Sequence, residues 1–158
     1  MELILIRHIA WDKKKDKITE EGRNQIRIIL ENLEKHKFCK IYSSPTKRAV
    51  YLAKIIAKFF NKELIIDTLL KERNEGSIKD ERTLELMAKK NNVHYVEFRP
   101  PNGESVIDVL GRTKRFLQKI NKNECSIVIV THYINILCFY SIVKNVDIKT
   151  VWDEELID

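Results

Sequence analysis

Two short apolar segments, each followed by a histidine, constrain this chain more than any other feature. The first is Leu3–Ile6, followed by Arg7 and His8, and the second is Ile127–Val130, followed by Thr131 and His132. A strand without a polar face is typical of a parallel sheet that helices cover on both sides. In such a sheet, ligands bind just outside the carboxyl ends of the strands. Both histidines are therefore expected where a binding site forms.

Helical and strand patterns alternate along the rest of the chain. Amphipathic helices are predicted from Thr19 to about Lys35, after Ser43–Thr46, from Arg82 to about Asn91 and from Glu104–Ser105 onward. A further helix is predicted over Ile134–Val143, and its nearly all-apolar sequence predicts that it is buried. Short strands are predicted at Cys39–Tyr42 and Glu63–Ile66, with an edge strand at Thr150–Trp152. Residues 9–17 are predicted to form a charged loop. This order predicts one layered α/β domain over residues 1–158.

Two helix starts carry specific signals. Ser43-Ser44-Pro45-Thr46 suggests a serine cap with proline at the first helical position, which would put Arg48 in the first turn. A helix start offers free amides and a partial positive charge, and both favour a phosphate. The local sequence fits equally well an exposed Arg48 that has no role in binding. Ser105 and Asp108 resemble a capping box.

Composition excludes several classes of protein. The formal net charge is +6, but the lysines are interleaved with glutamates along helices and lack regularly spaced aromatics, so nucleic acid is not an expected partner. No apolar run approaches the roughly 20 residues needed to cross a bilayer, and no signal peptide is apparent. A cytoplasmic protein is expected. Cys39, Cys125 and Cys138 form no CxxC pair, so we expect free thiols rather than a disulfide or a zinc site.

The residues that converge on the strand ends suit a phosphate. Neighbouring parallel strands lie about 4.8 Å apart, so His8 and His132 would meet if their strands are adjacent. Arg7 and Arg48 add planar cations that bind phosphate oxygens in pairs. Two arginines and two histidines without cysteine or acid ligands make a poor metal site. The remaining histidines, His36 and His94, lie in polar surroundings near helix ends and are assigned no role.

Six segments occur in a recognisable order: Arg7-His8-Ile9, Ile18–Gly22, Ser44–Ala49, Leu70–Gly76, Pro101–Ser105 and His132. In this order the chain resembles the histidine phosphatase superfamily, which includes cofactor-dependent phosphoglycerate mutase. The resemblance covers nearly the whole chain. It implies a three-layer α/β/α sandwich with a mostly parallel central sheet, as in phosphoglycerate mutase, and no cofactor or metal.

The resemblance also implies a role for each of five residues. His8 would attack phosphorus and become phosphorylated. Arg7, Arg48 and His132 would bind the phosphoryl oxygens and stabilise their charge in the transition state. Glu72 would protonate the leaving oxygen and then help to activate water.

Four positions depart from the family pattern. Ile9 and Tyr133 stand where the family commonly has glycine, and Trp11 and Lys14 replace its usual threonine and asparagine. Glycine permits positive φ and close backbone approach, which isoleucine does not easily permit. These departures are consistent with a narrowed site, with a different substrate or with weakened catalysis. Because Arg7, Arg48, His8, His132 and Glu72 are all retained, we expect an active enzyme.

The leading hypothesis is a phosphomonoester hydrolase that acts through a phosphohistidine on a small phosphorylated metabolite. A phosphoglycerate-type mutase, a protein phosphohistidine phosphatase and a catalytically weakened phosphate-binding module are the alternatives. The chain is short between Arg48 and Glu72 and again before His132, whereas mutases of this family carry insertions that exclude water. Retention of Glu72 favours an alcohol leaving group. Whether the protein forms a homodimer is left open.

Overall fold

The structure, a computed structural model, describes residues 2–78, 80–120 and 125–154. The chain divides into two compact units, one of Met1–Lys71 with Ile120–His132 and the other of Glu72–Lys119 with Tyr133–Asp158. The predicted α/β class is confirmed, and a single domain over residues 1–158 stays a prediction. No helix among the described residues is long and apolar enough to cross a membrane.

The elements follow in the predicted order, with one added hairpin and one added helix. In chain order they are β1 (Leu3–Arg7), β2 (Trp11–Asp12), β3 (Lys17–Ile18), α1 (Glu20–Leu33), β4 (Lys40–Ser43), α2 (Lys47–Phe60), β5 (Glu63–Ile66), α3 (Glu81–Lys90), α4 (Val106–Lys119), β6 (Ile127–Thr131), α5 (Tyr133–Lys144) and α6 (Ile148–Asp153). A short 3₁₀ turn covers Thr68–Leu70. The charged loop predicted at residues 9–17 thus contains most of the β2–β3 hairpin, which the sequence reading missed.

The first unit contains a parallel sheet with the strand order β1-β6-β4-β5. β6 lies between β1 and β4, and all five of its residues are buried, as its unbroken apolar sequence predicts. Leu3 pairs with Ile127 and Arg7 pairs with Thr131. The amide of His8 then donates to the carbonyl oxygen of Thr131 over 3.0 Å, so both strands end at the same level.

Helices α1 and α2 supply the apolar side chains that pack on this sheet. The buried core comprises Ile9, Leu33, Phe38, Ile41, Ala49, Leu52, Ala53, Ile56, Val128 and Val130. The predicted cap of α1 is confirmed, because the Thr19 hydroxyl accepts the amide of Gly22 over 3.0 Å. Gly22 is required there, since a Cβ atom would lie 2.4 Å from the carbonyl oxygen of Ala10.

The start of α2 differs from the prediction by two residues. The helix begins at Lys47 with Thr46 as its cap residue, rather than at Pro45 with a serine cap. Ser44 still belongs to the sheet edge, where its amide donates to the carbonyl oxygen of Val130 over 2.9 Å, and its hydroxyl lies 2.8 Å from Nε2 of His132. Arg48 nevertheless lies in the first turn, as predicted.

The prediction that all three cysteines are free thiols is wrong for two of them. Cys39 and Cys125 form a disulfide with a Cα–Cα distance of 6.0 Å. They precede β4 and β6, which are neighbours, and the amide of Cys39 donates to the carbonyl oxygen of Ser126 over 3.0 Å. This pairing follows from the strand order, which no local pattern reveals. Cys138 is a buried free thiol, and burial raises its pKa to about 12.

The second unit is helical within its described residues. Its main core comprises Val96, Val106, Val109, Leu137, Cys138, Ile148 and Val151. The predicted capping box at the start of α4 is confirmed: the amide of Asp108 donates to the Ser105 hydroxyl over 3.1 Å, and the amide of Ser105 donates to the Asp108 carboxylate over 2.8 Å.

The edge strand predicted at Thr150–Trp152 is wrong, because these residues lie in α6. Asp147 caps this helix by accepting the amide of Lys149 over 2.7 Å. Ile148 and Val151, three residues apart, are buried on the same side of the helix. In so short a segment, apolar residues spaced three apart are easily mistaken for the alternating pattern of a strand.

Candidate active site

The histidines that follow β1 and β6 lie side by side. Because the two strands are adjacent and end at the same level, the imidazole rings of His8 and His132 come within 5.1 Å, centroid to centroid, at an angle of 59°. The predicted meeting of the two imidazoles is therefore confirmed. The pair lies at the carboxyl ends of parallel strands, where ligands bind in α/β sheets.

The backbone orients the ring of His8. Its Nδ1 lies 3.0 Å from the carbonyl oxygen of Ile9. A carbonyl oxygen accepts hydrogen bonds and donates none, so Nδ1 carries the proton in this contact. In the neutral ring, Nε2 then keeps its lone pair. This is the tautomer that a nucleophilic Nε2 requires.

His132 is almost fully buried, and the turn before α2 holds it. Its Nε2 lies 2.8 Å from the hydroxyl of Ser44 and 3.4 Å from that of Thr46. Thr131, next to it, donates its hydroxyl to the carbonyl oxygen of Leu70 over 3.0 Å. The sequence reading placed Ser44 in a motif and a helix start but missed its contact with His132. The strand order would have been needed to find it.

The two arginines occupy different positions. Arg7 is the last residue of β1 and is exposed, and Arg48 is the second residue of α2 and is partly buried. Thr46 caps α2 without a side-chain hydrogen bond, so its hydroxyl leaves the first-turn amides to other acceptors. Guanidinium groups and helix-start amides attract anions and repel metal cations. The chemistry of this donor set fits a phosphate.

Glu72, the predicted proton donor, is the exposed first residue of the second unit. The residues that follow it are firmly held. Arg73 is buried and donates to the backbone carbonyl oxygens of Glu104 over 2.8 Å and Phe98 over 3.2 Å. The amide of Asn74 donates to the Glu104 carboxylate over 2.9 Å. Glu72 therefore begins a loop with fixed backbone geometry.

The loop after Glu72 depends on one glycine. Gly76 has a φ of +63°, and a Cβ atom there would lie 2.1 Å from the carbonyl oxygen of Pro101. Only glycine combines that dihedral angle with so close an approach. The contact joins this loop to the Pro101–Ser105 turn, so two of the six recognised segments fold as one piece.

The four residues that depart from the family pattern differ in burial and in the elements that carry them. Ile9 is 1% exposed and packs in the core of the first unit with Leu52 and Val128. Its side chain fills the core rather than narrowing the site. Tyr133 is 39% exposed at the first position of α5. Trp11 lies in β2, and the amide of Lys14 donates to the Asp12 carboxylate in the hairpin turn.

Comparison with known proteins agrees with this geometry. The profile of the histidine phosphatase superfamily (branch 1) matches residues 3–158. Phosphoserine phosphatase 1 of Hydrogenobacter thermophilus is 28% identical over 171 residues, which cover 96% of this chain and 80% of that protein.

Solved structures share the fold. The α-ribazole phosphatase of Shigella flexneri superposes with a TM-score of 0.81 at 21% identity. The superposition covers 97% of this chain and 84% of the phosphatase chain. A mycobacterial glucosyl-3-phosphoglycerate phosphatase superposes with a TM-score of 0.75 at 20% identity, covering 94% and 81%. The match over nearly the full sequence, together with the paired histidines, establishes that this chain belongs to the histidine phosphatase superfamily, a family of phosphatases.

Proposed function

We propose that the protein hydrolyses small phosphomonoesters through a phosphohistidine formed on His8. The observation that carries the proposal is the placement of His8 beside His132 at the ends of two parallel strands, with Nε2 of His8 left as its nucleophilic nitrogen. A binding site for phosphate would not require this tautomer. A nucleophile does, because it attacks with a lone pair.

The reaction proceeds in two displacements. Nε2 of His8 attacks phosphorus as the bond from phosphorus to the ester oxygen breaks, and Glu72 gives the departing oxygen a proton. Arg7, Arg48 and His132 stabilise the charge on the three phosphoryl oxygens. Glu72, now a carboxylate, takes a proton from water as that water attacks phosphorus and breaks the N–P bond. Inorganic phosphate leaves, and His8 and Glu72 return to their starting states.

The substrate is proposed to be a phosphorylated metabolite with an alcohol leaving group. Retention of Glu72 supports this class, because an alkoxide leaves poorly without a proton whereas an imidazole leaves readily. The names of two relatives, phosphoserine phosphatase and glucosyl-3-phosphoglycerate phosphatase, also refer to phosphorylated metabolites. Location in the cytoplasm and assembly into a homodimer stay predictions.

An assay of phosphate release from p-nitrophenyl phosphate tests the hydrolase. The wild-type protein is expected to turn over, and His8→Ala is expected to lose at least about a thousandfold in kcat, as removal of a nucleophile usually does. His36→Ala is the matched control, since His36 is exposed and pairs with Glu2. Absence of turnover in the wild type, or a His8→Ala variant as fast as His36→Ala, would refute the proposal.

A further inference from the structure

A second feature of the first unit is a groove between the β2–β3 hairpin and α2. Trp11 of the hairpin meets Tyr51 of α2 edge to face, with ring centroids 5.7 Å apart. Asp16 joins the same two elements, because it accepts the indole N–H of Trp11 over 3.3 Å and forms an ion pair with Lys47. The groove has a volume of about 460 Å³ and is lined by Trp11, Asp16, Pro45, Lys47, Tyr51 and Lys54.

The groove begins at the turn that contacts the active-site histidine. Pro45, in its wall, lies between Ser44 and Thr46, whose hydroxyls are 2.8 and 3.4 Å from Nε2 of His132. From there Lys47, Tyr51 and Lys54 follow at helical spacing on one face of α2. Seven residues span about 10 Å along a helix. A molecule whose phosphoryl group lies at the histidines therefore has a continuous path along this face.

The lining of the groove contains two lysines and one aspartate, and the hairpin beside it also carries a net positive charge. The hairpin and this face of α2 carry six lysines, Lys13, Lys14, Lys15, Lys17, Lys47 and Lys54, against two aspartates. Both aspartates are engaged locally: Asp12 accepts the amides of Lys14 and Lys15, and the hydrogen bond from Lys47 lowers the pKa of Asp16. Lys54 is exposed and has no acidic partner among the described residues. The groove thus offers cations for a second anionic group.

The lining also contains aromatic surface that a simple phosphate would not use. Tyr51 remains 37% exposed although it packs against Trp11. Aromatic side chains beside cations bind planar heterocycles that carry negative charge, since the ring stacks and the cation pairs. The groove volume falls in the range of sites that hold molecules of drug size.

We infer that this groove binds the non-reacting part of the substrate, and that this part is an aromatic nucleoside bearing a second phosphate. The base lies against Tyr51 and Trp11, and the second phosphate pairs with Lys54 and the neighbouring lysines. The inference rests on the proposed hydrolase, because it assigns the leaving group of that reaction. Trp11, which departs from the threonine of the family pattern, becomes a residue that sets specificity.

Matched kinetics test the assignment with adenosine 3′,5′-bisphosphate and O-phosphoserine as substrates. We expect a higher kcat/KM for the bisphosphate in the wild type. Tyr51→Leu and Lys54→Glu should each lower that value by about tenfold, the usual effect of losing one stacking or charge contact, and should affect phosphoserine less. Lys58→Ala, one turn further along α2 and outside the groove, should match the wild type. Equal losses on both substrates, or no loss, would overturn the inference.

Direct binding separates this inference from the proposed hydrolase. In Trp152→Phe, Trp11 is the one remaining tryptophan, and its fluorescence should change on titration with adenosine 3′,5′-bisphosphate. Lys54→Glu in that background should weaken the response by about tenfold. Such binding without hydrolysis of any monoester would refute the hydrolase and leave the groove site standing. Hydrolysis without any fluorescence response or groove dependence would overturn the groove site alone.

Discussion

The hydrogen bond from Nδ1 of His8 to the carbonyl oxygen of Ile9 makes one ring nitrogen chemically distinct from the other. That bond would also favour the imidazolium-like ring that forms as Nε2 bonds to phosphorus, because Nδ1–H then becomes a stronger donor. The side chain of Ile9 is buried in the core and fixes the position of this carbonyl group. A residue that departs from the family pattern thus supports the proposed nucleophile through its backbone.

Replacement of Arg48 tests the proposed phosphate contact. Arg48→Ala should lower kcat/KM by about tenfold or more, because a planar cation is lost where charge builds up in the transition state. Arg48→Lys should recover only part of this, since an ammonium group keeps the charge but not the paired donors. Steady-state kinetics with p-nitrophenyl phosphate measure both. Wild-type rates in Arg48→Ala would show that this arginine has no part in the reaction.

Replacement of Glu72 tests the proposed proton donor. Glu72→Gln should lower kcat/KM by roughly a hundredfold or more with an alkyl phosphate, because its leaving oxygen needs a proton. The loss in kcat/KM should be much smaller with p-nitrophenyl phosphate. The ratio of the two losses is the measurement. Glu75→Gln, three residues further along the same loop, is the matched control. An equal loss on both substrates would assign Glu72 a role other than proton transfer.

At the scale of elements, α4 begins with the capping box of Ser105 and Asp108. Burial raises the pKa of Asp108, but the hydrogen bonds from Ser105 and the charge of Arg99 outweigh burial, so the pKa is lowered from its usual 3.8. A lowered carboxyl pKa contributes stability that is present above the unfolded value and is lost as the pH falls through the folded value. The cap should therefore stabilise the protein at neutral pH and fail in acid.

Urea denaturation of Asp108→Ala measures this cap. At pH 7 the variant should lose about 1 kcal/mol of unfolding free energy, the usual contribution of a cap. The deficit should shrink as the pH falls below 3.8, the usual pKa of the carboxyl group. Glu31→Ala, which removes an exposed ion pair with Arg27, should change little. A deficit that stays constant into acid would contradict the pKa assignment.

The disulfide joins the amino-terminal ends of β4 and β6. It closes a loop with a sequence separation of 86 residues, so its reduction should lower the unfolding free energy by about 2–4 kcal/mol. Thermal unfolding with and without dithiothreitol checks this in the wild type. Cys39→Ser should resemble the reduced protein and should not respond to dithiothreitol. An unchanged melting temperature on reduction would show that Cys39 and Cys125 are not bonded in solution.

Across the whole molecule, the structural features that the sequence predicts are those that depend on residues close together in the chain. The apolar run of β6, the cap at Thr19 and the capping box at Ser105 each depend on residues within a few positions, and all three are confirmed. The order of the histidine-phosphatase motifs predicts the family and, with it, the fold. The match of the family profile to residues 3–158 confirms the family.

The features that the sequence reading missed depend on strand order. The contact of Ser44 with His132 spans 88 residues, and the disulfide exists because β4 and β6 are neighbours. The sequence of Thr150–Trp152 wrongly predicts a strand, because the six residues of α6 are too few to separate helical from alternating periodicity. Local patterns carry no information about which distant segments pair.

Detection of the phosphorylated enzyme shows whether His8 carries the phosphoryl group during turnover. Wild-type protein is mixed with p-nitrophenyl phosphate, quenched in alkaline denaturant that preserves phosphohistidine, digested and examined by mass spectrometry without acid. We expect one phosphoryl group on the peptide that contains His8, and none on that peptide in His8→Ala. Steady hydrolysis in the wild type without any phosphoryl group on His8 would contradict it.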